Sequence, residues 1–422
     1  MRAMRAKSAV VLTVLGAVFA IASATVSSQT QTIRIRAATV LDGTGKVLRN
    51  ATIVVQGSKI TAIETSGSGA ATYDLGPLTV IPGMIDVHAH VGWHFDKDGR
   101  YAARRGDPAE EILYSAENAY TTLLAGFTTI QSPGQANDVQ LRDAIARGIF
   151  PGPRILTSIR QITEDSGTPD EIREKVRQLK RDGADVVKIF ASASIRDGGK
   201  QTMTDAQIEA VCGEAKAQGM RTMVHAHSPE SIKASVNAGC DQIEHGVFAT
   251  DEVLKLMADK GVYFDPNVGV VLQNYLRNKA KFLGIGNYNE EGFAYMQKGL
   301  ALNEAMIKRA VATPNLKMVL GTDAVAGAHG RNADEIVERV KQGGQKPMDD
   351  RHARVRLRSG PRRARRRSAA GHHRRPARRV RDERRQGVQA RVGRLAAHHS
   401  LILRVGPPPH PKVTVIANNF VM

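Results

Sequence analysis

From Thr32 to about Val80, apolar and polar residues alternate in short runs: Ile33-Arg34-Ile35-Arg36, Thr52-Ile53-Val54-Val55 and Lys59-Ile60-Thr61-Ala62-Ile63. A period of two gives a strand one apolar face, and turn signals at Asp42-Gly43 and Gly57-Ser58 separate the runs. The pattern predicts a small β module ending near residue 82, where Pro82-Gly83 leads into the apolar stretch Ile85-Asp86-Val87-His88-Ala89-His90. Beyond it the period changes. Short apolar runs recur at Thr128–Gln131, Arg154–Thr157, Val186–Phe190, Thr222–His225, Gln242–His245, Val262–Phe264 and Lys317–Gly321, which with the first makes eight. Amphipathic helices lie between them. Thr168-Pro169-Asp170-Glu171 is a capping box with Pro in the first turn, followed by Ile172, Val176 and Leu179 on one face, and Thr204–Gln207 and Ser228-Pro229-Glu230 start two more. Eight β-then-α units over residues 83–346 predict an α/β chain folded as a (β/α)8 TIM barrel, with its chemistry at the C-terminal ends of the strands.

The two ends of the chain read differently. Arg2, Arg5 and Lys7 precede the apolar run Ala9–Ala22 and a small-x-small pattern at Ala22-Ser23-Ala24, the signature of a signal peptide over residues 1–24. Export to a periplasmic or secreted location is the expectation, and the run is short for a stable membrane anchor. The β module then occupies residues 25–82. Charge changes the picture only when mapped: residues 1–350 carry 40 Lys+Arg against 39 Asp+Glu, whereas residues 351–422 carry 20 against 2. The +19 total therefore belongs to an atypical tail over residues 347–422, and nucleic acid is an unlikely partner for the folded part. Cys212 and Cys240, the only thiols, read as buried small apolar residues; one pair does not by itself imply a disulfide.

Candidate chemistry starts at His88 and His90. Alternate residues of a strand share a face roughly 6.6 Å apart, so two imidazoles can converge on one ion, although such pairs are also ordinary polar surface. The other titratable residues at strand C-terminal ends are Lys188, His225, His245 and Asp323, a coherent metal-ligating set. His227 shares a face with His225 beyond the strand end, as a substrate contact or a loop residue. His94, beside Trp93, and His329 lie in loops at the barrel mouth and read as surface or substrate rim.

The motifs Pro82-Gly83-Met84-Ile85-Asp86-Val87-His88-Ala89-His90, Ala184-Asp185-Val186-Val187-Lys188-Ile189-Phe190, His225-Ala226-His227, Ile243-Glu244-His245-Gly246 and Gly321-Thr322-Asp323-Ala324 carry a resemblance. Over roughly residues 32–345 the chain resembles the metal-dependent amidohydrolase superfamily, in its exported imidazolonepropionase-like and prolidase-like branch. The resemblance implies a TIM barrel with a composite β-sandwich module and a binuclear site. His88 and His90 would bind one divalent ion with Asp323, His225 and His245 a second, and Lys188 would bridge them as a carbamate. Zinc is the default metal. It further implies hydrolysis of an amide or peptide-like bond in a small molecule or dipeptide by a metal-bridging hydroxide, with Asp323 moving the proton. Cyclic amidase or dihydroorotase-like chemistry, a mononuclear hydrolase and an inactive polyanion-binding barrel are the alternatives; homo-oligomer formation is left open.

The resemblance stops past Gln345. Nineteen arginines fall between residues 351 and 404 with no lysine among them and no apolar periodicity, a composition that cannot bury a core. Our reading is a shift of reading frame near Met348-Asp349-Asp350, which would leave the β module without its last strands, although Lys412-Val413-Thr414-Val415-Ile416 is strand-like. Translating the other two frames of the gene tests this: one of them should encode a helix-forming, Gly- and Asp-containing C-terminus, and its absence from both refutes the shift.

Overall fold

The computed structural model describes residues 32–66, 69–102 and 106–345, together with the backbone of 402–405 and 413–416. The expected signal peptide and the rest of the arginine-rich tail lie outside the described residues. The module begins with β1 (Thr32–Leu41), β2 (Val47–Gln56) and β3 (Lys59–Glu64), an antiparallel meander, while β4 (Tyr73–Asp74) and β5 (Thr79–Pro82) run parallel to β1. Asp42 sets the first turn by accepting from the backbone N–H of Thr44 and Lys46. Ile35, Ala37 and Val40 of β1 pack on Ala51, Ile53 and Val55 of β2, the face that the alternation requires.

The barrel strands follow: β6 (Met84–Asp86), β7 (Phe127–Ser132), β8 (Arg154–Thr157), β9 (Gln161–Ile162), β10 (Val186–Phe190), β11 (Arg221–Ala226), β12 (Gln242–His245), β13 (Tyr263–Asp265) and β14 (Lys317–Met318). All are parallel to their neighbours. β8 and β9 are two parts of the third strand, broken where Ile159 takes a left-handed φ of 60°. The first barrel strand is regular only over β6; His88 and His90 follow on its continuation. There the barrel closes, because the chain after β14 runs beside the chain after β6. Val87 N–H donates to Leu320 O at 2.9 Å, Asp323 N–H to His88 O at 2.7 Å and His90 N–H to Ala324 O at 2.8 Å.

One buried carboxylate locks this seam. Asp86 accepts from Thr322 Oγ1 at 2.6 Å, Asn332 Nδ2 at 2.7 Å, Thr322 N at 3.0 Å and His88 N at 3.1 Å. Burial pushes its pKa up to about 6 despite these donors.

The outer helices follow the sequence pattern. Pro169–Arg181 starts at the Thr168/Glu171 capping box and buries Ile172, Val176 and Leu179; Asp205–Ala217 starts at a second box formed by Thr204 and Gln207. Among the described residues no helix is long and apolar enough to cross a membrane.

One expectation is corrected. Cys212, on the helix Asp205–Ala217, and Cys240, just ahead of β12, are buried but joined in a disulfide, which a sequence separation of 28 does not reveal. Towards the C-terminus, β15 (Ile402–Val405) pairs antiparallel with β16 (Val413–Ile416), and β16 pairs parallel with β5 in a seven-stranded sheet. The strand-like Val413–Ile416 thus lies between β15 and β5.

Asp86→Ala should cost about 3 kcal/mol or more, because it strands several buried donors at once. Asp86→Asn should cost less, keeping one acceptor oxygen. Urea denaturation midpoints of the two variants against the parent chain check the order.

Candidate active site

The continuations of β6 and β14 bring His88, His90 and Asp323 together, and the ends of β10, β11 and β12 bring Lys188, His225 and His245 to the same place. All six line one pocket with Trp93, Phe190, Arg196, His227, Asn267, Tyr275 and Asn303. Asp323 Oδ1 lies 3.1 Å from His90 Nε2 and 3.5 Å from His88 Nε2. Ring centroids are 5.3 Å apart for His88 and His90, 5.3 Å for His88 and His245, and 4.6 Å for His225 and His245. His245 and Asp323 hold left-handed φ values of 69° and 49° at their strand ends. For side chains with a Cβ that conformation costs energy, and here it turns both into the pocket.

Three groups have ligand atoms within 4.8 Å of one another: His88, His90 and Asp323; His225, His227 and His245; and His88, Glu244 and His245. His227 is therefore buried within the cluster. Burial drives the pKa of His88, His225 and His245 well below the ordinary value and that of His227 down to about 3. Positive neighbours, among them Lys188, act in the same direction. The imidazoles are neutral, each with a free nitrogen lone pair. His88 Nδ1, His227 Nδ1 and Asp323 Oδ1 are buried without a hydrogen-bond partner, a costly arrangement unless a ligand meets them.

Lys188 is fully buried, as its apolar run implies, but it is not alone. Its Nζ contacts Glu244 Oε2, and Glu244, also fully buried, reaches His88 Nδ1 at 3.5 Å through its other oxygen. Burial raises the Glu244 pKa against the pull of Lys188. Glu244 sits inside the Ile243–Gly246 motif, and the signal that could have singled it out is a carboxylate in an otherwise apolar strand.

Two loop histidines lie elsewhere. His94 is neither surface nor rim: it is buried, hydrogen-bonded to Gly92 O at 3.0 Å and stacked on Tyr114 at 4.1 Å. His329 does not line the pocket; its Nε2 meets Trp93 O at 3.3 Å, and burial lowers its pKa to about 4. Trp93 in turn packs on His90, centroids 4.2 Å apart, forming an apolar wall beside the cluster. Arg196 and Asn267 come from connections after strands, and Tyr275 and Asn303 from the helices Val271–Arg277 and Glu290–Ala312; none belongs to a motif, so no spacing rule marks them.

Residues 79–354 match the Amidohydrolase family. The chain belongs to that family. Among its relatives, ochratoxinase of Aspergillus niger is 24% identical over 363 residues, spanning 75% of this chain and 73% of that protein. Imidazolonepropionase of Deinococcus deserti is 32% identical over 91 residues, spanning 21% of this chain and 22% of that protein. Among solved structures, a Xaa-Pro dipeptidase with methionine bound in its active site superposes with a TM-score of 0.68 at 27% identity, covering 76% of this chain and 87% of that one. This amidohydrolase is accordingly an enzyme that hydrolyses carbon–nitrogen bonds, from a family acting on small substrates such as dipeptides, on a TIM-barrel fold.

The lowered histidine pKa values fix the sign of the pH dependence. Below about pH 6.5 the unfolded chain binds protons that the folded cluster refuses, so stability present above that pH is lost as pH falls towards the folded values. Each such histidine contributes about 1.4 kcal/mol per pH unit in that window. Buried Asp86 and Glu244, whose pKa values are raised, act in the opposite direction in the same window, but four histidines outweigh them, so denaturation at pH 7.5, 6 and 5 should show a net decline; a stability that rises as pH falls would contradict the buried neutral cluster. In the metal-free chain, where Lys188 pairs with Glu244 as an ammonium, Glu244→Gln leaves that ammonium buried without its anion and should cost about 3 kcal/mol by the same denaturation measurement at pH 7.5.

Proposed function

We propose that this chain is an exported, metal-dependent amidohydrolase that cleaves the amide bond of a dipeptide or a similar acyl-amine. What carries the reading is one buried pocket lined by five histidines, Asp323 and Lys188, with His88, His225, His227 and His245 held neutral by burial and partnerless ligand atoms turned inward. That donor set fits divalent ions with nitrogen and oxygen preference. His88, His90 and Asp323 would hold one ion and His225 and His245 a second, with His227 in reach of the same position; Lys188, as a carbamate, would supply the shared oxygen ligand. When bound, such ions lower the pKa of a water and polarise a carbonyl.

The chain's own groups do the rest. Asp323, beside His90, accepts a proton at its carboxylate and returns it to the leaving nitrogen. Trp93, Phe190 and Val247 exclude bulk water from the pocket. For a carbamate to form, the Lys188 ammonium loses one proton to give the neutral amine, which adds carbon dioxide with loss of a second, turning a cation into an anion and ending the ion pair with Glu244. Export is supported by the Cys212–Cys240 bond, since disulfides persist in oxidising compartments, and by the sequence of residues 1–24.

The Lys188–Glu244 pair favours one other reading. If Lys188 stays an ammonium it cannot bridge, and a single ion on His88, His90 and Asp323 would serve a mononuclear hydrolase. Metal content per chain, release of amino acids from dipeptides, and NMR with isotope-labelled bicarbonate separate the two. Two ions with a labelled carbamate are expected. One ion without label selects the mononuclear enzyme, and no metal with no hydrolysis leaves a non-catalytic barrel.

A further inference from the structure

A second cavity lies at the opposite end of the barrel from the histidines, where the strand starts meet the β module. Its volume is about 710 Å3, within the range of small-molecule sites. Ile53, Ile60 and Ile63 line it from the module, and Ile85, Val87 and Leu320 from the barrel seam. Ile85 stands out among them. It belongs to the barrel strand β6 yet is 41% exposed, so it forfeits burial that an apolar occupant would restore.

The polar groups of this cavity are gathered on one side. Arg154, Arg221, Gln242 and Tyr263 are each the first residue of a barrel strand, β8, β11, β12 and β13, and together they form its floor. Arg221 donates to Gln131 Oε1 at 3.3 Å, a neutral partner, and among the described residues no carboxylate forms an ion pair with it. That bond uses one of the several donors a guanidinium carries. Asp42, the one carboxylate among the described lining residues, is already taken up by the amides of Thr44 and Lys46 in its own turn. Apolar walls thus meet a cationic floor, and the complementary ligand is an anion with an apolar body.

We propose that this cavity binds a single-chain carboxylate, a medium-chain fatty acid, with its head group on Arg221 and its tail along Ile85 and the module isoleucines. The site is separate from the histidine pocket and does not depend on the hydrolase reading. The two are nevertheless joined by hydrogen bonds. Gln131 Nε2 donates to Gln242 Oε1 at 3.3 Å, and Gln242 Nε2 to Glu244 Oε1 at 3.3 Å, the carboxylate that pairs with Lys188. A substitution at Arg221 can therefore reach the histidines, so the test needs a second variant away from this chain of bonds.

The test is calorimetric titration of the full chain with decanoate, decanol and acetate, alongside Arg221→Met, Ile85→Glu and Arg196→Met. Decanoate should saturate at one per chain and bind roughly 10- to 100-fold more tightly than decanol, the range for one hydrogen bond to a charged group. Acetate, lacking the tail, should not saturate over the same range. Arg221→Met should bring decanoate to the level of decanol, Ile85→Glu should weaken both, and Arg196→Met, in the histidine pocket, should change neither. Absence of saturable decanoate binding, equal affinity for decanoate and decanol in the parent, or acetate binding as tight as decanoate overturns the site. So does binding that survives both Arg221→Met and Ile85→Glu, as uptake by the arginines of residues 351–404 would. Loss of decanoate binding in Arg196→Met places the acid among the histidines and refutes the proposal equally. Should circular dichroism show Arg221→Met unfolded, Arg221→Lys replaces it: a retained preference for decanoate there, with neither ligand bound by Ile85→Glu, upholds the site, and any other pairing overturns it.

Discussion

The seam between the first and last barrel strands is the constraint from which the site follows. His88 and His90 stand on one side of it and Asp323 on the other, more than two hundred residues away in sequence, and three main-chain hydrogen bonds between Val87–His90 and Leu320–Ala324 set their register. Asp86 is what makes that register unique. Its carboxylate takes two backbone N–H groups, the Thr322 hydroxyl and the Asn332 amide, and a slip of one residue between the strands would strand the three of these donors that cross the seam. The carboxylate that closes the barrel therefore also sets the spacing between Asp323 and the two histidines.

The last described helix, Asp334–Gly343, reinforces the same region from outside. Glu335 accepts from the backbone N–H of Val268 and Gly269, just past β13, while Arg339 donates to Asp265, Glu335 and Val319 O. Asp265 also accepts from Gly321 N–H at 2.7 Å, where the close approach leaves no room for a Cβ. A buried ion network is thus spent on holding the ends of the seventh and eighth strands together. Its second carboxylate oxygen lies 4.0 Å from His88 Nδ1, so this network touches the histidine cluster directly.

The interior of the site runs against ordinary burial rules, and the departures point one way. Neutral histidines, partnerless ligand atoms, a fully buried lysine beside a fully buried glutamate and two left-handed residues with side chains are each unfavourable in an unliganded core. They are gathered at the C-terminal end of one barrel, whereas the helix-facing layer is uniformly apolar, with Ile172, Val187, Ile189, Val224, Ile243 and Phe264 among its members. Stability resides in that layer and in the seam; the pocket draws on it.

Much of this was legible in the residue order. Alternation of period two marked the β module, eight apolar runs separated by capped amphipathic helices specified the barrel, and histidines at strand ends marked the side on which chemistry sits, because strand and helix periods are local properties of consecutive residues. The sequence could not reveal partners that no local period links. Glu244 on β12 meets Lys188 on β10 past the intervening β11, Cys212 meets Cys240 between a helix and a strand start, Val413–Ile416 joins β5 from the far end of the chain, and Arg196 lies over the rings of Tyr288 and Tyr275 from a separate loop. By itself the sequence determined the repeating architecture and the kinds of ligand atom available. Tertiary structure alone decided which of them share a pocket and which are left without a partner, since those depend on strand register and loop packing between residues far apart in the chain.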